Sequence, residues 1–220
     1  TRYWRDWSSD VCSSDLGNDG VVTVNYQTVD GTGANRAVAG TDYESTSGTL
    51  TFGNGDESET ITVPITNNTT INPDKVFSVE LSGVGGGASI GTPDTVNVTI
   101  LEDDIELLFD PSEYDVSETV GTASLTVTRI GDTDQEVSVA YETTGITAVP
   151  TEDFDQTTGT VTFAVGETSK TIDIPIVDDN QQEEDETFIV TLDSNSTTGG
   201  ATLGATPVAT VTIDSEDVAG

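Results

Sequence analysis

A set of alternating apolar blocks recurs about 111 positions further along this 220-residue chain, and that duplication limits what the chain can fold into more than any other feature. Asp42-Tyr43, Gly48-Thr49-Leu50-Thr51-Phe52, Gly55-Asp56 and Ile61-Thr62-Val63-Pro64-Ile65 form the first copy. They return in register as Asp153-Phe154, Gly159-Thr160-Val161-Thr162-Phe163, Gly166-Glu167 and Ile172-Asp173-Ile174-Pro175-Ile176. Phe77-Ser78-Val79-Glu80-Leu81 matches Phe188-Ile189-Val190-Thr191-Leu192 at the same offset. Val96-Asn97-Val98-Thr99-Ile100 matches Ala209-Thr210-Val211-Thr212-Ile213 after a two-residue loop change. The chain is a tandem duplication.

Each copy reads as all-β. Val161 with Phe163, and Ile172 with Ile174 and Ile176, alternate with polar residues, the period of a half-buried strand, and no window sustains a 3.6-residue period. In the second copy strands are predicted over 106–109 with 113–117, then 122–130, 136–143, 159–164, 168–177, 187–193 and 206–213, with Ala164-Val165-Gly166-Glu167 as a hairpin turn. Seven short strands with turn signals between them point to an immunoglobulin-like β-sandwich, here two in tandem. The first copy begins near Gly17, in the loop before its third strand. It is therefore truncated at its N-terminus, lacks its first two strands, and should leave part of its core exposed. With no initiator Met and no signal peptide, the chain reads as a fragment of a longer protein.

Residues 1–16, TRYWRDWSSDVCSSDL, hold both tryptophans and the single cysteine, and nothing later resembles them. They look like translated adapter sequence, with a native basic-aromatic arm as the competing reading. The resulting division is a non-native segment at 1–16, a first domain at 17–104 and a second at 105–217. On either reading Cys12 has no partner in the chain, so no disulfide staples the fold.

Charge narrows the function. Six Lys and Arg stand against 40 Asp and Glu, a net charge of −34. Such a surface repels phosphates and anionic lipid heads, so nucleic acid and direct membrane insertion are excluded as expectations. Histidine is absent, which removes Ser-His-Asp and Cys-His pairs and imidazole-held zinc. What remains is carboxylate, hydroxyl and carbonyl oxygen, a donor set suited to calcium.

The acid is unevenly placed. In a sandwich of consecutive antiparallel strands the first, third and fifth connections and the end of the last strand share one pole. There the second copy carries Glu118, then Glu152, Asp153 and Asp155, then the run Asp178-Asp179-Asn180-Gln181-Gln182-Glu183-Glu184-Asp185-Glu186, and finally Asp214, Glu216 and Asp217. Crowded carboxylates stay ionised at neutral pH only with a counter-charge, and so few basic residues cannot supply it. A divalent cation can. The competing reading is an acidic surface that serves solubility or salt adaptation.

These residues resemble a known family, the Calx-β domains of sodium/calcium exchanger regulatory loops and of bacterial surface proteins. The likeness covers 17–217 and rests on the Asp-aromatic to Gly-acid run at 153–167, the Ile-Pro-Ile-Val-Asp-Asp strand end at 174–179, Glu-Asp-Glu-Thr-Phe at 184–188 and the closing Val-Thr-Ile with its acids at 211–217. It implies calcium ligands at Glu118, Asp153, Asp178, Asp179, Glu183, Glu186, Glu216 and Asp217. The first copy departs from the pattern. Asn67 and Asn68 stand for Asp178 and Asp179, Asn72 for Glu183, and Lys75 for Glu186. Asp42, Glu102, Asp103 and Asp104 remain as weaker metal candidates, so one good site is expected.

Other motifs carry less. Asp132-Thr133-Asp134-Gln135-Glu136 lacks the glycine and flanking helices of an EF-hand, and Val84-Gly85-Gly86-Gly87-Ala88 lacks the Lys-Ser/Thr ending of a phosphate loop. No aromatic cleft accompanies the paired carboxylates, so no catalysis is expected. The expected function is a non-enzymatic, calcium-binding, extracellular repeat module of a bacterial surface or secreted protein. Its partners would be neighbouring repeats and a cell-surface or matrix component, with Ca²⁺ rigidifying the domain and the junction at 101–105. The alternative is a calcium-independent acidic spacer.

Overall fold

An alternating strand buries one face only, so the sequence pattern calls for sheets packed in pairs. In the computed structural model, which describes residues 12–13, 20–179 and 181–215, the chain forms two compact units that divide between Glu102 and Asp103, with 69–71 grouping with the second. The first holds β1 (Cys12–Ser13), β2 (Val22–Val29), β3 (Ser47–Phe52), β4 (Lys75–Gly85), β5 (Ser89–Ile90) and β6 (Thr95–Ile100). The second begins with β7 (Ile105–Phe109), β8 (Glu113–Ser117), β9 (Thr122–Gly131), β10 (Val137–Gly145) and β11 (Thr158–Phe163). It continues with β12 (Ser169–Pro175), β13 (Glu186–Leu192), β14 (Thr202–Leu203) and β15 (Val208–Asp214). The only helical element among the described residues is a single 3₁₀ turn at Glu118–Val120. None is long and apolar enough to cross a membrane.

The second unit is a full sandwich. A five-stranded sheet, β11-β10-β13-β15-β8, faces a four-stranded one, β12-β9-β7-β14. Pairs are antiparallel except β8 with β15 and β14 with β7, which run parallel. Leu107, Phe109, Leu125 and Ile174 from one sheet meet Val139, Phe163, Phe188 and Val211 from the other, all at most 1% exposed. The predicted strands are all present, with ends shifted by one or two residues. The two-residue β14 was not anticipated, since so short a segment carries no legible period. The glycine opening each Gly-Thr-hydrophobic-Thr-Phe motif has a steric reason. Gly159 pairs across the sheet with Tyr141, and a Cβ there would sit 2.8 Å from the phenol oxygen.

Among the described residues the first unit has one four-stranded sheet, β3-β2-β4-β6, and a two-residue ladder of β1 with β5. Its buried apolar cluster among those residues is Ala37, Tyr43 and Phe77, against 22 residues in the second unit. One sequence expectation fails here. Ile61 to Ile65 repeat the strand pattern of Ile172 to Ile176, yet 57–64 is not a strand, and Ile65 forms an isolated bridge to Tyr43. In the second unit that strand, β12, is held entirely by β9. No counterpart of β9 occurs among the described residues of the first unit, and without a ladder partner the alternating pattern stays irregular.

Candidate metal centre

One end of the second unit gathers the turn at Glu118–Val120, the β10–β11 loop and the β12–β13 loop. Two residues are fixed there by an aromatic clamp. Phe154 stacks on Phe188 with ring centroids 4.3 Å apart, both buried. Asp153 precedes one ring directly and Glu186 lies two residues before the other, at the start of β13 opposite Ile213. The Asp153 carboxylate accepts the Val149 N–H at 2.6 Å, and its carbonyl accepts the Val177 N–H at 2.9 Å, which ties the two loops together. Glu118 is placed by the 3₁₀ turn, capped by Ser117 and closed by Gly121 at φ 75°. It is only 7% exposed and accepts the Asp179 N–H at 3.0 Å.

Carboxylate oxygens of Asp153, Glu183 and Glu186 all lie within 4.8 Å of one another. With Glu118, Glu184, Ile213 and Ser215 they line a single cleft. Electrostatics register the crowding. Burial, a hydrogen bond to Asp153 and repulsion from Asp153, Glu183 and Glu152 push the Glu186 carboxyl up to about 7. Burial and repulsion from Asp153, Asp179, Glu118 and Glu152 raise Glu183 as well. Two buried polar atoms facing this region, Glu186 Oε2 and Ser215 Oγ, have no hydrogen-bond partner. Orphaned buried oxygens cost about 1–3 kcal/mol each, more when charged, and a divalent cation would satisfy them. Five carboxylates and a hydroxyl around one cleft match the all-oxygen shell of a hard divalent ion.

Of the residues singled out from the sequence in the second copy, Glu118, Asp153, Glu183 and Glu186 converge. Asp179 stands close enough to load charge onto Glu183, while its own carboxylate accepts the Gln181 N–H at 2.6 Å and the Gln181 side-chain amide at 2.7 Å, bonds that hold its carboxyl below the usual range. Asp178 is exposed and does not line the cleft. Glu216 and Asp217 lie outside the described residues. Sequence reasoning missed Glu184 and Ser215 as lining residues. Glu184 sat in plain view within the acidic run, and only the loop's path selects it over Asp185.

The first unit treats the same positions differently. Asp42 is 8% exposed, and its carboxylate is bound by Lys75 Nζ at 2.7 Å and by the Val38 N–H at 2.8 Å. Burial works to raise this carboxyl, but the Lys75 and Val38 hydrogen bonds outweigh it and hold the group low. Glu102 accepts the Asn72 N–H at 2.6 Å and donates its own N–H to Asp74 at 2.9 Å. Glu102, Asp103 and Asp104, consecutive in the chain, have carboxylate oxygens within 4.8 Å of one another; Asp103 is exposed, and in the second unit the Asp104 carbonyl accepts the Asp132 N–H at 3.1 Å.

Known proteins resemble this chain in sequence and fold. Sodium/calcium exchanger 1 of Canis lupus familiaris is 36% identical over 189 residues, which cover 77% of this chain and 19% of the exchanger. Adhesion G-protein coupled receptor V1 of Danio rerio is 32% identical over 216 residues, 91% of this chain and 3% of the receptor. The chain thus spans a small part of the curated relatives it matches. Among solved structures, the apo-form Calx CBD1 domain superposes with a TM-score of 0.50 at 34% identity, covering 51% of this chain and 98% of that one. The profile of the Calx-beta domain matches twice, over residues 10–104 and 102–217, one match for each copy of the repeat. Repeat, sandwich and profile agree, and the chain belongs to the Calx-beta domain family.

Proposed function

We propose that the second unit is a non-catalytic calcium-binding module in which the ion replaces missing cationic side chains at one pole of the sandwich. The observation that carries this reading is the convergence of Asp153, Glu183 and Glu186 around two orphaned buried oxygens. Glu118, Asp153, Glu183, Glu184 and Glu186 would hold the ion, with Asp179, Glu216 and Asp217 as further donors. The ion would supply positive charge and oxygen coordination, lifting the repulsion that raises Glu186 and Glu183. The likeness to exchanger sequences and to the Calx CBD1 domain supports a calcium-responsive, regulatory or structural role within a longer protein.

In that role calcium orders the three loops and stiffens the unit and its junction with the neighbouring repeat. We place the module in an extracellular surface or secreted protein, a reading supported by its strong acidity and by its likeness to an adhesion receptor along most of its length. A ligand that binds only the folded state at about 100 times its dissociation constant stabilises it by roughly 2.7 kcal/mol. The test is thermal unfolding of the chain with calcium, with magnesium and with chelator. The expected outcome is a second-unit melting temperature that rises several degrees in millimolar calcium, with Asp153→Asn abolishing the rise. Equal melting in all three solutions would leave only the acidic-spacer reading, for which sodium chloride works as well as calcium.

A further inference from the structure

We infer that Lys75 is a built-in replacement for the metal, so that the first unit is locked in its folded loop arrangement without calcium. The repeat places Lys75 where the second unit has Glu186. Lys75 starts β4 opposite Ile100 as Glu186 starts β13 opposite Ile213. The clamp is also the same. Tyr43 stacks on Phe77 with centroids 4.3 Å apart, as Phe154 does on Phe188. One scaffold therefore holds a residue pair at a fixed close spacing in both units. In the second it presents two carboxylates, which repel and need a cation from outside. In the first it presents Asp42 and an ammonium at 2.7 Å, a finished pair with the Val38 N–H as a further donor to Asp42.

The surrounding loop agrees. Where the second unit places Glu183, the first has Asn72, whose side-chain amide donates to Asn68 at 3.1 Å and whose N–H donates to Glu102. A divalent ion entering here would have to displace the ammonium from Asp42 and would find amides where the other unit offers carboxylates. At the position of Asp42 and Lys75 the residues of the first unit do not fit the ion that the family implies. A charge supplied by the protein's own side chain takes its place, and the chain combines one metal-dependent and one metal-independent module.

The inference takes the calcium reading of the second unit as its frame but is tested apart from it. Nitrogen-15 spectra of the full chain, titrated with calcium chloride to about 1 mM, the weak end of the range for calcium modules, report each unit separately. The amides of Val38, Asp42 and Lys75 should stay still while those of Asp153, Asp179 and Glu186 move. Movement of the first group in the unmodified chain overturns the lock and leaves the calcium reading intact. If neither group moves, the calcium reading falls, and the lock is decided by melts in chelator alone. There Lys75→Met should lower the melting of the first unit, and Asp42→Asn added to it should recover part of the loss. Glu186→Lys should make the second unit melt higher in chelator than the unmodified chain and blunt its calcium response at least tenfold. Unchanged melting in both Lys75→Met and Glu186→Lys overturns the proposal.

Discussion

Thr151 is the one described non-glycine residue with positive φ, at 74°, and it sits two positions before Asp153. Its counterpart in the first unit is Gly40, at φ 81°, so the turn leading to the clamped aspartate needs a left-handed residue in both copies. A β-branched side chain there is strained by about 1–2 kcal/mol, while glycine avoids the clash and loses more chain entropy on folding. Thr151→Gly should therefore stabilise the metal-free second unit by up to about 1 kcal/mol in denaturant unfolding. A loss of stability would mean that the threonine side chain makes up for its strain. Glu186 carries a second prediction at this scale. Its carboxyl is raised in the folded state to about 7, against about 4.3 in an unfolded chain. The stability this contributes is complete below the unfolded value and is lost as pH rises through the folded one. In chelator, the second unit should melt higher at pH 5 than at pH 8, and Glu186→Gln should flatten that slope between pH 5 and 8. Saturating calcium should remove it too, because the ion takes over the proton's role.

At the scale of elements, what the sequence made legible and what it concealed divide along locality. The alternation in Val161 to Phe163 and Ile172 to Ile176 placed β11 and β12 within two residues, because burial of every second side chain is a local signal. The same alternation in Ile61 to Ile65 misled, because a strand also needs a partner, and the partner lies more than 40 residues away in the repeat. Site residues follow the same rule. Glu118, Asp153 and Glu186 sit at strand ends or tight turns, where topology alone aims them at one pole. The long β12–β13 loop is free in its path, and no periodicity told Asp178, which faces solvent, from Glu184, which lines the cleft. Hydrogen exchange tests the segment at 58–63, which pairs with no strand among the described residues. Its amides should exchange orders of magnitude faster than the alternate amides of 169–174 that bond to β9 in the β9–β12 ladder. Comparable protection in the two segments would mean that 58–63 is paired after all.

Across the whole molecule two similar sequences have unequal means of staying folded. Among the described residues the second unit buries 22 core residues and the first a cluster of three, and apolar burial is the dominant favourable contribution to folding. A net charge of −34 acts against both through self-repulsion, which dissolved salt screens over about 8 Å at physiological strength without regard to unit. Sodium chloride should therefore raise both melting temperatures, whereas calcium at concentrations too low to screen should raise one. Calorimetry of the full chain should resolve two transitions, the lower belonging to the first unit. Phe188→Ala removes one ring of the clamp from a well-packed core and should cost about 3–5 kcal/mol, moving only the upper transition. Phe77→Ala should move only the lower, and by less, because the half-buried residues around it can close over the space. A single transition shifted equally by both substitutions would mean that the units fold as one body, and the difference in core size would then not set their order of melting.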